Sequence, residues 1–196
     1  MQITEFLKLL QDNTYPEAPT PVHSDLTPLV MDWVLPSVKG KQVLDVGCGQ
    51  GVALVEFGKR GYNAIGTGVN DADLEQCREK GLAVVKADMH ENHTETTFDL
   101  IWLRHVLEHS PVPLYVLHLL RERLSEGGLL YIEVPAPDTG AHHERNANHY
   151  AVHTPSAWVA LILKAGLTIT DGKQIDLDLS IGCKDSYYAF ICKKAA

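Results

Sequence analysis

Residues 43–51, VLDVGCGQG, decide the fold of this chain. A short apolar run that closes on alternating glycines is a buried parallel strand handing the chain, through a sharp turn, to a helix. Glycines at 47, 49 and 51 let the chain turn and let a ligand press against bare backbone. The helix that follows offers unpaired N–H groups, and Asp45 adds a carboxylate at the strand end. A carboxylate beside the turn suits a ligand carrying an amino group or a positive charge better than a pyrophosphate. The dinucleotide fingerprint wants a glycine where this chain has Val52, and the phosphate-loop lysine is absent, so nucleotide readings fall back.

Outward from the turn, strand and helix signals alternate. Strands are expected at 42–47, 63–69, 82–87, 98–103, 129–134, 168–176 and 187–193, and helices at 50–60, 72–80, 114–124 and 156–165. The fold class that follows is α/β: a Rossmann-like, doubly wound, mostly parallel seven-stranded sheet with helices on both faces, binding its ligand at the carboxyl ends of the strands. Upstream, apolar positions Ile3, Phe6, Leu7, Leu9 and Leu10 mark a short amphipathic helix, and residues 13–21 hold three prolines and form a linker. A second helix is expected from Ser24 or Asp25 to Leu35. Residues 1–37 therefore read as a short N-terminal helical cap on a domain of residues 38–196.

The chain has 196 residues, 45% hydrophobic and 21% charged, which excludes bulk disorder. A net charge of −8 argues against a general polyanion binder, so nucleic acid is not an expected partner. No long apolar run and no signal peptide is evident, and no membrane partner is expected. Cys48, Cys77, Cys183 and Cys192 form no CxxC pair and read as buried thiols in a reducing cytoplasm.

With VLDVGCGQG, KADMHE (86–91), FDLIWLRHVLEH (98–109) and SEGGLLYIEVP (125–135) in this order, the chain resembles the class I S-adenosylmethionine-dependent methyltransferases, in particular the ubiquinone-biosynthesis and small-molecule O-methyltransferases. The resemblance implies S-adenosylmethionine as cofactor and a small-molecule acceptor. It implies that Asp45, Gly47, Cys48 and Gly49 meet the methionine end, that Asp88 and Met89 hold the adenine, and that Leu103 to His105 line the methyl-donor side. Such enzymes usually end the second strand with an acidic residue that grips the ribose. In IGTGVNDAD that position falls on Gly68, which leaves Asn70, with the turn shifted, or Asp71 to take the role.

Ten histidines are the compositional oddity. If residues 105–109 are helical, His105, Glu108 and His109 share one face. A later segment, AHHERNANHYAVHTP, supplies His142, His143, His149 and His153. Both segments follow strands, so they are expected to meet at the site. The pattern resembles metal-assisted O-methyltransferases, including those acting on small-RNA 3′ ends, which implies Glu108, His109 and His149 as ligands of a divalent metal. Without a metal, His105 is the natural general base. His149 or His153 can equally bind substrate, and His90, His93 and His118 read as surface or packing residues. Trp33, Trp102 and Trp158 read as core, and Tyr15 and His23 as mobile surface residues that could instead close over the cofactor. Arg104 and Arg145 read equally as contacts to an anionic substrate or as surface ion pairs. Two rival functions remain beside small-molecule O-methylation (N-methylation included): a non-catalytic binding module of the same fold, as Gly68 hints, and methylation of an RNA end, which would need a local patch around Arg104, Arg121, Arg123 and Arg145.

Overall fold

β1 (Gln42–Val46) lies inside a seven-stranded sheet of order β3-β2-β1-β4-β5-β7-β6 in the computed structural model, which describes residues 2–11, 18–91, 95–179 and 184–195. The strands β2 (Asn63–Gly68), β3 (Val84–Lys86), β4 (Phe98–Arg104) and β5 (Leu124–Pro135) run parallel to β1. β7 (Lys184–Lys194) is antiparallel to β5 and forms a hairpin pair with β6 (Leu167–Asp178). The chain leaves β1 toward β2 and β3, then returns to the other side of β1 as β4 and β5. That reversal opens a crevice at the carboxyl ends of β1 and β4, where Asp45 stands opposite Gly66 and Trp102.

The pleat sends alternate residues to opposite faces. Leu44, Ile101, Leu103 and Ile132 pack beneath α5 (Pro113–Glu122) and α6 (Pro155–Lys164) with Val116, Leu117 and Trp158. Val43, Leu100, Trp102 and Tyr131 pack on the other face against Met31 and Val34 of α2 (Pro21–Val34) and Phe57 of α3 (Val52–Lys59). Trp102 stacks on Tyr131 with ring centroids 4.2 Å apart and meets Phe57 edge-on at 5.5 Å. Each such burial contributes about 1.5–3 kcal/mol relative to exposure. α4 (Asp71–Glu79) adds Leu74 and Cys77 to a smaller cluster with Cys48 and Leu54. Cys48, Cys77 and Cys192 are buried free thiols, whereas Cys183 lies outside the described residues.

Several boundaries differ from the sequence expectation. α2 begins at Pro21 rather than near Ser24, because a proline in the first turn needs no N–H partner and the Thr20 carbonyl already accepts from Ser24 N at 3.0 Å. The glycine pair 127–128 does not precede β5 but lies within it: Leu124 is buried and pairs with Phe98, and an irregularity in register absorbs the turn residues. α1 (Ile3–Gln11) has the expected amphipathic spacing. No helix among the described residues is long and apolar enough to cross a membrane.

Candidate active site

The turn after β1 is built on left-handed glycines. Gly47 has φ +67°, and a Cβ there would stand 2.4 Å from Val106 Cγ2, so both backbone and packing demand glycine. Gly47→Ala is expected to lower stability by about 2–4 kcal/mol, through left-handed strain and overpacking together, read as a fall in thermal midpoint. Gly49 has φ +49° and its missing Cβ faces open space. Two cavities meet at this turn, one of about 230 Å³ and one of about 320 Å³. Gly47, Gly49, Asp73, His105 and His109 border both.

Gly68, Asn70, Asp88, Met89 and His90 line the first cavity, as do Leu7 and Leu10 of α1. Asn70 is the N-cap of α4: its Oδ1 accepts from Ala72 N at 3.0 Å and Asp73 N at 3.2 Å. Asp71 points outward, where Lys86 Nζ donates to its Oδ2 at 2.6 Å. His90 is not a bystander at the surface. It is buried, its Nδ1 donates to Asp88 Oδ1 at 2.5 Å, and its Nε2 meets Ser110 Oγ at 2.8 Å. Its backbone N–H donates to the same Asp88 oxygen, so this histidine fixes the Asp88 carboxylate at the cavity wall.

Asp45, Trp102, Arg104, His105, Glu108 and Tyr187 are among the residues lining the second cavity. Leu103 corrects the expectation: the pleat that aims Trp102 and Arg104 at the cavity face turns Leu103 into the opposite core, where it is fully buried. Asp45 is 3% exposed and its Oδ2 has no hydrogen-bond partner among the described residues. Burial, opposed in part by Arg104, pushes its carboxyl up to about 8. Cys48 also borders this cavity, with burial first among the causes that raise its thiol.

The 105–109 segment is not an α-helix. His105 has φ +56°, sparsely populated for a side-chain-bearing residue, and a single 3-10 turn, Leu107–His109, follows. The reason is that His105 N still donates to the Glu133 carbonyl at 2.9 Å, which holds the segment to β5 while Leu107 enters the core. Below it lies a polar cluster within an otherwise apolar strand. Glu133 Oε1 takes Arg104 Nε at 2.9 Å and His105 Nε2 at 2.7 Å, and the Tyr131 hydroxyl donates to Oε2. Arg104 Nη1 also donates to Thr27 Oγ1 on α2 at 2.9 Å. Burial alone would raise the Glu133 carboxyl, but His105, Arg104 and the Tyr131 hydrogen bond outweigh it and hold it at about 2. Because a carboxylate only accepts, His105 Nε2 carries the hydrogen toward it, and Nδ1 lies 4.0 Å from Glu108 Oε1.

The histidine-rich loop does meet this segment. The Glu108 carbonyl accepts from Tyr150 N at 2.8 Å and Ala151 N at 3.0 Å, and His109 Nδ1 donates to the Asn148 carbonyl at 2.9 Å. Ligand atoms of Glu108, His109 and His149 all come within 4.8 Å of one another. Burial, together with the neighbouring His109 and His143, lowers His149 to about 4, so its ring is neutral at neutral pH. His143 is held by Asp185, at 3.0 Å and 3.1 Å from its two oxygens. His142 and Arg145 are exposed, and His153 packs against Trp158 with centroids 4.9 Å apart, outside both cavities. Arg121 is engaged by Glu122 and by the Gly166 carbonyl, and His118 is exposed. Tyr15, His93 and the His23 side chain lie outside the described residues.

Sequence reasoning passed over Asp73, Glu133 and Asp185, and gave His90 no role beyond surface or packing. Glu133 carried a signal, a lone acid in the apolar run LLYIEV, which demands a buried partner.

Comparisons with known proteins place the family and the fold. A family model described as a methyltransferase domain matches residues 22–171. A ubiquinone biosynthesis O-methyltransferase of Pseudomonas aeruginosa is 30% identical over 122 residues, covering 57% of this chain and 52% of that protein. The chain thus spans about half the length of the curated relatives it matches. A solved S-adenosylmethionine-dependent methyltransferase of Archaeoglobus fulgidus superposes with a TM-score of 0.68 at 19% identity, over 86% of this chain and 94% of that one. A solved cyclase superposes with a TM-score of 0.72 at 15% identity, over 99% and 93%. The fold alone therefore does not specify a reaction.

Proposed function

Since the chain belongs to the methyltransferase-domain family matched over residues 22–171, we propose that it transfers the methyl group of S-adenosylmethionine to an oxygen, or a nitrogen, of a small-molecule acceptor. The observation that carries this reading is His105, a basic side chain standing where the two cavities meet. The residues suit the cofactor. Asp45 presents a buried carboxylate oxygen with no hydrogen-bond partner among the described residues, a counter-charge for an amino or sulfonium group. Gly49 leaves open the space that a Cβ would fill. Asp88, braced by His90, suits an exocyclic amine such as that of adenine.

When bound, the cofactor supplies a methyl group already activated by the positive sulfur. The protein's part is then to hold the acceptor in line and to take its proton. Glu133 fixes the His105 ring through Nε2, which makes Nδ1 the nitrogen that accepts a proton. Glu133 and Glu108, on either side of the ring, stabilise the imidazolium that forms. Thr20, Ser24 and Thr27 border the second cavity, and Leu7 and Leu10 the first, which supports a covering role for the N-terminal helices. The buried free thiols support a reducing compartment such as the cytoplasm.

A divalent cation is a second element of the reading, carried by the convergence of Glu108, His109 and His149. His109 donates through Nδ1 to a carbonyl, which presents Nε2 as the ligand atom, and neutral His149 and a carboxylate complete the set. Calorimetric titration with S-adenosylhomocysteine, with and without a chelator, tests both elements. Micromolar binding supports the methyltransferase reading, and its absence favours a non-catalytic module. A thermal midpoint raised by added Mn²⁺ or Zn²⁺, and unresponsive in His149→Ala, supports the cation; no response removes it.

A further inference from the structure

We propose that Asp73, in the first turn of α4, is the carboxylate that grips the vicinal diol of the cofactor's ribose, an assignment that rests on the methyltransferase reading above. A ligand that spans the two cavities, base in one and amino acid in the other, has its sugar at their junction. Of the residues that border both cavities, Asp73 is the one carboxylate. Asp88, the other acid lining the first cavity, has an oxygen already committed twice to His90. Gly68, at the end of β2, borders the first cavity but has no side chain to offer.

Asp73 is held for such a task. It is 7% exposed, Gln50 Nε2 donates to its Oδ1 at 3.0 Å, and its Oδ2 receives no hydrogen bond among the described residues. Gln50 belongs to the glycine turn and Asp73 to α4, so this bond ties together the two elements between which the sugar would lie. Asn70 cannot accept from the diol without giving up its cap, because its Oδ1 already takes two backbone N–H groups and only its Nδ2 is left, as a neutral donor. Asp71 is turned outward to Lys86. A carboxylate accepting from a hydroxyl pair makes charge-assisted bonds, roughly twice as strong as neutral ones.

The test is calorimetric titration of the full chain with S-adenosylhomocysteine and with its analogue lacking both ribose hydroxyls. The wild type is expected to bind the parent compound roughly ten- to a hundredfold more tightly than the analogue. Asp73→Ala is expected to bind both about equally, at the affinity the wild type shows for the analogue. Asp73→Asn, which keeps the shape and a bond to Gln50, is expected to lose part of the preference at an unchanged thermal midpoint, and is decisive where Asp73→Ala does not fold. Retention of the full preference in either folded variant overturns the assignment, as does an equal loss for both ligands, which marks a structural role only. If the wild type binds neither compound, the methyltransferase reading falls and this assignment with it. If the wild type binds both equally, only the assignment falls.

Discussion

His105→Asn is expected to lower kcat by about two to four orders of magnitude, the usual contribution of a positioned general base, while changing cofactor affinity by less than threefold. Asparagine is the replacement of choice because position 105 sits at φ +56°, a conformation that asparagine tolerates better than most residues. The substitution removes the nitrogen that takes the acceptor's proton and leaves Glu133 bonded to Arg104 and Tyr131, so the buried carboxylate keeps partners and the fold persists. Steady-state kinetics on an accepted substrate, with product-analogue titration on the same preparation, separates the two effects. An unchanged kcat would show that the acceptor loses its proton elsewhere and that His105 serves the loop's geometry. Glu133→Gln is a poorer probe, because it strips the charge partner from buried Arg104 and endangers folding.

Asp45→Asn is expected to weaken S-adenosylmethionine binding by about a hundredfold and to abolish its pH dependence. In the ligand-free wild type, burial pushes the carboxyl up to about 8, so at pH 7 it carries a proton. A positively charged ligand prefers the ionised form, and binding at pH 7 must release nearly one proton. Affinity is therefore expected to climb by about tenfold per unit as pH rises toward 8 and to level off above it. Titrations in buffers of differing ionisation enthalpy count that proton directly. The same shift acts on folding. The folded value stands above the ordinary aspartate value of about 4, so the contribution of Asp45 to stability is fully present below pH 4. It is lost as pH rises from there through 8, by at most about 6 kcal/mol. Asp45→Asn is expected to flatten that decline in the ligand-free protein. A binding affinity indifferent to pH between 6 and 8 in the wild type would show that Asp45 is already ionised and that another group meets the positive charge.

The sequence by itself determined the architecture, because local periodicity carries that information. Seven apolar segments, most of them separated by helical ones, and a glycine turn behind VLDV suffice to specify a mostly parallel α/β sheet and the end at which ligands are expected, whereas the strand order and the antiparallel β7 came from the structure. It also determined that Glu108, His109 and His149 would meet, since both of their segments leave parallel strands on the same edge. Tertiary structure alone decided which polar groups are engaged and which face the cavities. His90 read as a surface or packing residue; the fold buries it between Asp88, two residues back along the chain, and Ser110, which is adjacent to it only in space. Leu103 and Arg104 are neighbours in sequence, yet the pleat sends one to the core and the other to Glu133, 29 residues along the chain. The helical option at 105–109 gave way to a left-handed residue and a 3-10 turn because a bond to β5, invisible to local propensity, outweighs helical spacing there. Asp45 could be named from its position at the end of the strand, but its raised carboxyl is a property of burial, and burial is set by what the rest of the chain packs around it.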